Sequence, residues 1–152
     1  MSDPLSIPST SSRYGLPLLF AGQAQKEFYI NEAHARTDML LHPAIEGVAS
    51  APPSDPQNGQ SWLISGDASG EWAGHDGQIA SFEGGTWLFL TPRDGLRVLD
   101  RSSMQDIFFR GGWIRAARPA NLQGGTTVDA EARAAIGQLI AALMAGGILP
   151  RV

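Results

Sequence analysis

The chain has 152 residues, enough for one domain that buries about two-thirds of its unfolded surface. A formal charge of −4, with Lys26 its one lysine, argues against a basic nucleic-acid-binding patch, and the absence of cysteine excludes disulfides and thiolate metal sites. Charged residues make up 17%, against ~25% in a typical domain, and 18 Gly with 10 Pro suit many turns and a surface open to subunit contacts.

The first segment, MSDPLSIPSTSS, carries Pro4, Pro8 and a Ser/Thr cluster and has little reason to fold alone. It reads either as a tail or as an extended arm, residues 1–22, whose Leu5 and Ile7 anchor on a neighbouring subunit. It lacks a basic stretch followed by an apolar core, so no secretory signal is expected. No apolar run approaches ~20 residues, so no membrane insertion is expected either.

After the Pro17-interrupted lead-in, residues 23–42 place Ala24, Phe28, Ala35 and Met39 at spacings that predict an amphipathic helix of about five turns. His42 before Pro43 supplies the stop. Asn31 lies beside the stripe, either facing solvent or setting register in an oligomer. Residues 45–49 read as a short strand, and the Pro-rich loop 50–60 marks a seam before the β-module.

From Gly59 to Ala116 the runs WLIS, QIASF, TWLFL, LRVL, DIFF and WIRA alternate with Gly- and Asp-rich turns, the pattern of strands joined by hairpins. Glu83-Gly84-Gly85 before TWLFL is the clearest hairpin signal. All four tryptophans lie here, and each can bury roughly 200 Å². Arg93, Arg97, Arg101, Arg110, Arg115 and Arg118 cluster in the same third of the chain and are expected to pair with Asp94, Asp100 and Asp106.

Residues 119–152 form a linker and a second helix, capped by Thr126, Thr127 or Asp129 and stopped by Gly146-Gly147. Ala132, Ile136, Leu139 and Leu143 step by 4, 3 and 4, as a heptad seam does. Two heptads cannot stand alone. The helix therefore docks on the β-module, the simpler expectation, or bundles with copies of itself through Ile136, Leu139 and Leu143. The fold class expected is mainly β: an antiparallel module between an N-terminal and a C-terminal amphipathic helix, with residues 23–118 forming the helix and Trp-rich body.

Chemistry is sparse. His34, Asp38 and His42 share one helical face at metal-ligand spacing, but without a legible fourth ligand they read as a polar stripe. His75, Asp76 and Ser81 lack a nucleophile elbow, and the separation of Glu71, Asp76 and Glu83 is not legible from sequence. No catalytic residue, metal or cofactor is expected. Trp72, His75, Asp76 and Trp87 form the candidate glycan-binding set, since ring faces pack on sugars; Trp72, in a Gly-rich turn, is expected to be exposed.

The segments GQAQKE (22–27), NEAHARTD (31–38), SAPPSDPQNGQSWL (50–63), GEWAGHDGQIA (70–80) and GGTWLFLTPRDGLRV (84–98) resemble a family without an assigned function that is met in prophages and gene transfer agents. The resemblance implies a structural component of a phage-like particle, a head spike or tail fibre that promotes attachment to a recipient's capsular polysaccharide. Its alternatives are an architectural adaptor or spike base without glycan contact, and a polysaccharide-cleaving enzyme. It further implies a homo-oligomer, a trimer first and a pentamer second, joined to other capsid or fibre proteins. Such a particle is assembled in the cytoplasm and released by lysis.

Overall fold

A computed structural model describes residues 9–24, 26–120, 124 and 129–150; Leu5, Ile7, Thr126 and Thr127 lie outside them. The chain divides into two compact units, Met1–Pro92 and Arg93–Val152. The described residues contain eight strands in two sheets, and two α-helices.

In the first unit, residues 9–18 turn back on themselves. Ser11 N donates to Leu16 O (2.9 Å) and Leu18 N to Ser9 O (3.0 Å), with Gly15 at φ +64° in the bend. This segment and the lead-in after it lie on helix α1, Lys26–Leu40. The helix grips them with its polar side. Asp38 accepts the backbone N–H groups of Arg13 and Tyr14, both at 2.8 Å. Asn31 accepts from Leu19 N and donates to Leu19 O, and Glu27 accepts from Gly22 N. Residues 27, 31 and 38 share a helix face, so the extended backbone runs along a row of side-chain partners. The Arg13 guanidinium returns the favour at the other end, donating to the carbonyls of Asp38, Met39 and His42, which the helix leaves without internal partners.

This arrangement corrects the expected stripe. Ala24 stands before the helix, Phe28 is 69% exposed and Tyr29 80%; only Met39 of the four stripe residues is buried. The physical reason is that ten residues of lead-in bring unpaired N–H and C=O groups to α1, and only polar side chains satisfy them. The helix therefore turns its carboxylates and amide inward. Asn31, expected either to face solvent or to set register in an oligomer, here holds both backbone groups of Leu19.

Strands β1 (Ala44–Ile45) and β2 (Val48–Ala49) occupy the stretch read as a single strand. Strand β2 pairs in parallel with β3 (Ser61–Ile64), because the Pro-rich loop 50–60 carries the chain back to its starting end. Strands β4 (Ile79–Glu83) and β5 (Thr86–Leu90) add on antiparallel, giving the order β2-β3-β4-β5. The β4–β5 hairpin closes through Gly84 (φ +59°) and Gly85 (φ +82°), the two left-handed residues a type I′ turn requires. Arg36 of α1 donates to Phe89 O on β5 (3.1 Å), fastening helix to sheet.

In the second unit β6 (Arg97–Asp100), β7 (Gln105–Phe109) and β8 (Trp113–Ile114) run as an antiparallel meander. Helix α2, Ala130–Ala145, is capped by Asp129, whose side chain accepts from Ala132 N (2.8 Å). After Gly147 (φ +72°) the chain returns to β7. Asp106 N donates to Gly147 O, and the fully buried Gln105 amide donates to both Ala116 O and Ile148 O. No α2 side chain is buried: Ile136 is 42% exposed and Leu139 59%. Ile140, Leu143 and Met144 are half-buried, and the other apolar residues of α2 are exposed, so its apolar face is only partly covered among the described residues.

Of the expected arginine pairs, Arg115–Asp100 forms. Asp94 instead accepts from Gly111 N. Asp100 is buried, and burial alone would raise its pKa. Hydrogen bonds from Ser102 Oγ and N and from Arg115 outweigh that and hold the carboxyl below the ordinary aspartate value.

Two outcomes follow from these anchors. Replacing Asp38 by Ala strands two N–H groups and should cost about 1.5–3 kcal/mol in urea unfolding, with faster amide exchange in residues 11–19 and a smaller loss for Asp38→Asn. Asp100 has a folded pKa below its unfolded value, so its stabilisation is present above about pH 4 and is lost as pH falls through the lowered folded pKa. Acid titration of stability should show that component in the natural chain and lack it in Asp100→Asn.

Candidate functional site

Alternation along β3, β4 and β5 sends Trp62, Ile64, Ala80, Phe82, Trp87 and Phe89 to one face of the first sheet, in the register Trp62↔Ala80, Ala80↔Phe89 and Phe82↔Trp87. Ala80 is the small residue at the centre of that face. The segment after β3 folds over it through a 3-10 turn, Gly70–Trp72, entered with Gly70 at φ +63°. Trp72 fills the space above Ala80 and is 0% exposed. Its ring stands 5.1 Å from Trp87 at 85° and 6.3 Å from Trp62 at 42°; Trp62 and Trp87 are 5.8 Å apart at 74°. The two contacts of Trp87 are near-perpendicular, the arrangement that suits the indole quadrupole.

Of the four residues read as a glycan-binding set, Trp72, Trp87 and His75 pack against aromatic neighbours, while Asp76 is exposed in the turn. Trp72 is the core, which corrects its expected exposure: a Gly-rich turn reads as surface, yet here it is a cover laid across a sheet. His75 stacks on Phe89, rings parallel within 4° and 3.6 Å apart, with Nδ1 3.2 Å from Gln78 Oε1. Asp76 accepts from Ala68 N (2.9 Å), closing the turn. Trp87 is half-buried and donates from Nε1 to Glu71 Oε2 (3.2 Å). What remains for a ligand is the rim of this layer, where Glu71, Asp76 and the edge of Trp87 meet solvent.

Ser81 is buried and bonds Ser61 Oγ (3.0 Å), away from His75 and Asp76. Asp38 is committed to backbone N–H groups, and His42 packs against Tyr14. Among the described residues no group of three His, Asp or Glu is arranged to hold a metal ion. Of the residues expected from the sequence to mediate oligomerisation, Ile136, Leu139 and Leu143 lie along α2 with none buried, while Leu5 and Ile7 fall outside the described residues.

Two surfaces escaped the sequence reading. One is the outward aromatic pair Phe28–Tyr29 on α1, of which apolar periodicity puts Phe28 on the buried stripe and Tyr29 off it. The other is the Arg97–Phe108–Arg110 group on the second unit, whose signal was an arginine directly across the β6–β7 register from a phenylalanine.

Because Trp72 closes the aromatic layer, Trp72→Ala should destabilise the first unit by about 3–5 kcal/mol, read as a lowered urea midpoint and lost near-ultraviolet dichroism. A cost under about 1 kcal/mol, the range of surface substitutions, would place that indole outside the core.

No curated protein matches the chain. One family profile does, over residues 30–114, from the middle of α1 to the end of β8. With more than half of its length matched, the chain belongs to DUF2793, a family of proteins of unknown function.

Proposed function

We propose that this chain is a structural building block of a phage-like particle, such as the head spike or tail fibre of a gene transfer agent. In this reading it assembles with copies of itself and helps hold the particle on a recipient's capsular polysaccharide. The observation that carries the reading is α2. Its last three turns, AAIGQLIAALMA, contain no charge, yet none of its sixteen residues is buried. A helix of this length gains most of its stability from packing an apolar face, and its 4-3-4 spacing presents that face as a narrow seam. Copies of the same helix supply the matching seam. A threefold bundle suits a fibre-like part, and a fivefold ring suits a base on a capsid vertex.

The resemblance of several sequence segments to a family met in prophages and gene transfer agents supports the particle context, with assembly in the cytoplasm and release by lysis. Phe28 and Tyr29 on α1 offer a second apolar surface, suited to a neighbouring capsid or fibre protein.

A second reading, the architectural adaptor that never touches sugar, is favoured by the burial of Trp72, which removes the flattest platform from the candidate glycan set. Binding of purified protein to capsular polysaccharide separates the two readings.

The assembly reading predicts a native mass that is a closed multiple of the monomer. Ile136→Glu with Leu139→Glu should reduce it to the monomer at micromolar concentration while leaving near-ultraviolet dichroism intact. A natural chain that stays monomeric at high concentration would contradict it.

A further inference from the structure

The outer face of the β6–β7–β8 meander carries a constellation separate from the tryptophan layer. Val98, Asp100, Gln105 and Ile107 turn into the second unit and are buried. Strand alternation therefore puts Arg97, Phe108 and Ile114 on the opposite side, in the register Arg97↔Phe108↔Ile114. Arg110 follows Phe108 by two positions. The guanidinium carbons of Arg97 and Arg110 lie 5.6 Å and 5.5 Å from the same Phe108 ring centroid. The two charges are thus no farther apart than those two distances laid end to end. Both arginines are exposed, and neither has a carboxylate partner among the described residues.

The neighbouring charges sharpen the point. Arg93 opens the adjoining turn, which is tied to this end of the sheet by Gly95 N donating to Phe109 O. Asp94, the acid nearby, has one oxygen occupied by Gly111 N (2.7 Å). Asp106 shares the outer face but lies two strand positions from Phe108, away from Arg110, at about 7 Å along the strand. A chain of net charge −4 thus gathers Arg93, Arg97 and Arg110 near two carboxylates, Asp94, partly occupied by Gly111 N, and Asp106, which forms no ion pair with either ring-bound arginine. Like charges are held together here by ring contacts rather than by acids.

We infer that Arg97 and Arg110, flanking Phe108, form a binding site for the carboxylate groups of an acidic polysaccharide. A guanidinium fork matches a carboxylate in two parallel hydrogen bonds, which a lysine point charge does not. The face is open on its flanks: a side chain built at Gly95, Gly111 or Gly112 would meet nothing within 4 Å. An extended chain can cross such a face. A polymer that repeats its carboxylate would engage the same site on each copy of an oligomer, gaining avidity without new contacts. Duplex DNA, with its dense charge, is opposed by the net negative chain. The choice of a polysaccharide rests on the attachment role proposed above.

Calorimetric titration with polygalacturonate, beside neutral dextran, polyglutamate and duplex DNA, tests the inference. Polygalacturonate should bind, weaken as salt rises, and lose about tenfold or more in affinity in Arg97→Gln and in Arg110→Gln, with folding checked by circular dichroism. Lys26→Gln, the same charge change in the first unit, should stay within about twofold, as for an exposed charge without a partner. Absence of polygalacturonate binding, variants that bind as the natural chain does, or polyglutamate or DNA binding with the same arginine dependence would each overturn the site. Native mass keeps the two claims apart. An oligomer that ignores polygalacturonate removes the site and leaves the assembly. A monomer that binds through both arginines keeps the site and removes the assembly.

Discussion

The packing of Trp72 over Ala80, between Trp62 and Trp87, is the constraint on which the rest of the first unit depends. A strand position as small as Ala80 leaves a hollow in a sheet face otherwise made of large apolar side chains, and the chain fills it from a turn rather than from a facing sheet. That choice settles two matters at once. The turn covers that face, so the tryptophan cluster is buried there without a second sheet. The aromatic residues most suited to stacking on a sugar are consumed by one another, which leaves only the rim of the layer for a ligand. His75, stacked on Phe89, pins the far end of the same cover.

Helix α1 follows a different rule. A helix usually hides its apolar stripe and shows its charges, whereas α1 hides Asp38, Asn31 and Glu27 because an extended segment needs their acceptors. The cost is that Phe28 and Tyr29 face outward. Helix α2 is also left with apolar residues outside, and its tail rather than its face is fastened, by Gln105 and Asp106 on β7. Both helices therefore carry apolar surface that the tryptophan core and the β7 anchor do not use. Two such surfaces on one short chain suit a component whose neighbours complete it.

Much of this was legible where a local signal has one structural meaning. Gly84-Gly85 between apolar runs fixed a hairpin, since two left-handed residues in succession fit little else. Asp129 announced the start of α2, and Gly146-Gly147 its end. What stayed hidden depended on partners distant in sequence. The inward side of α1 follows from the path of residues 13–22, and apolar periodicity carries no record of polar groups bound to backbone. Trp72 reads as exposed because Gly70 and Gly74 bracket it in sequence, while its neighbours in space are strands. The arginine cluster divides between Arg115, paired with the buried Asp100, and the exposed Arg97 and Arg110 on Phe108. Only the strand register distinguishes these fates.

The central claim is that the tryptophan core is complete within one chain while α2 is completed by other copies. Hydrogen–deuterium exchange, followed peptide by peptide as the protein is diluted, tests it most directly. The account predicts that amides of β3, β4 and β5 remain protected at every concentration, whereas those of Ala130–Ala145 gain protection only as the oligomer forms. Protection of α2 that does not change with concentration, or a β-core that loses its protection on dilution, would contradict it.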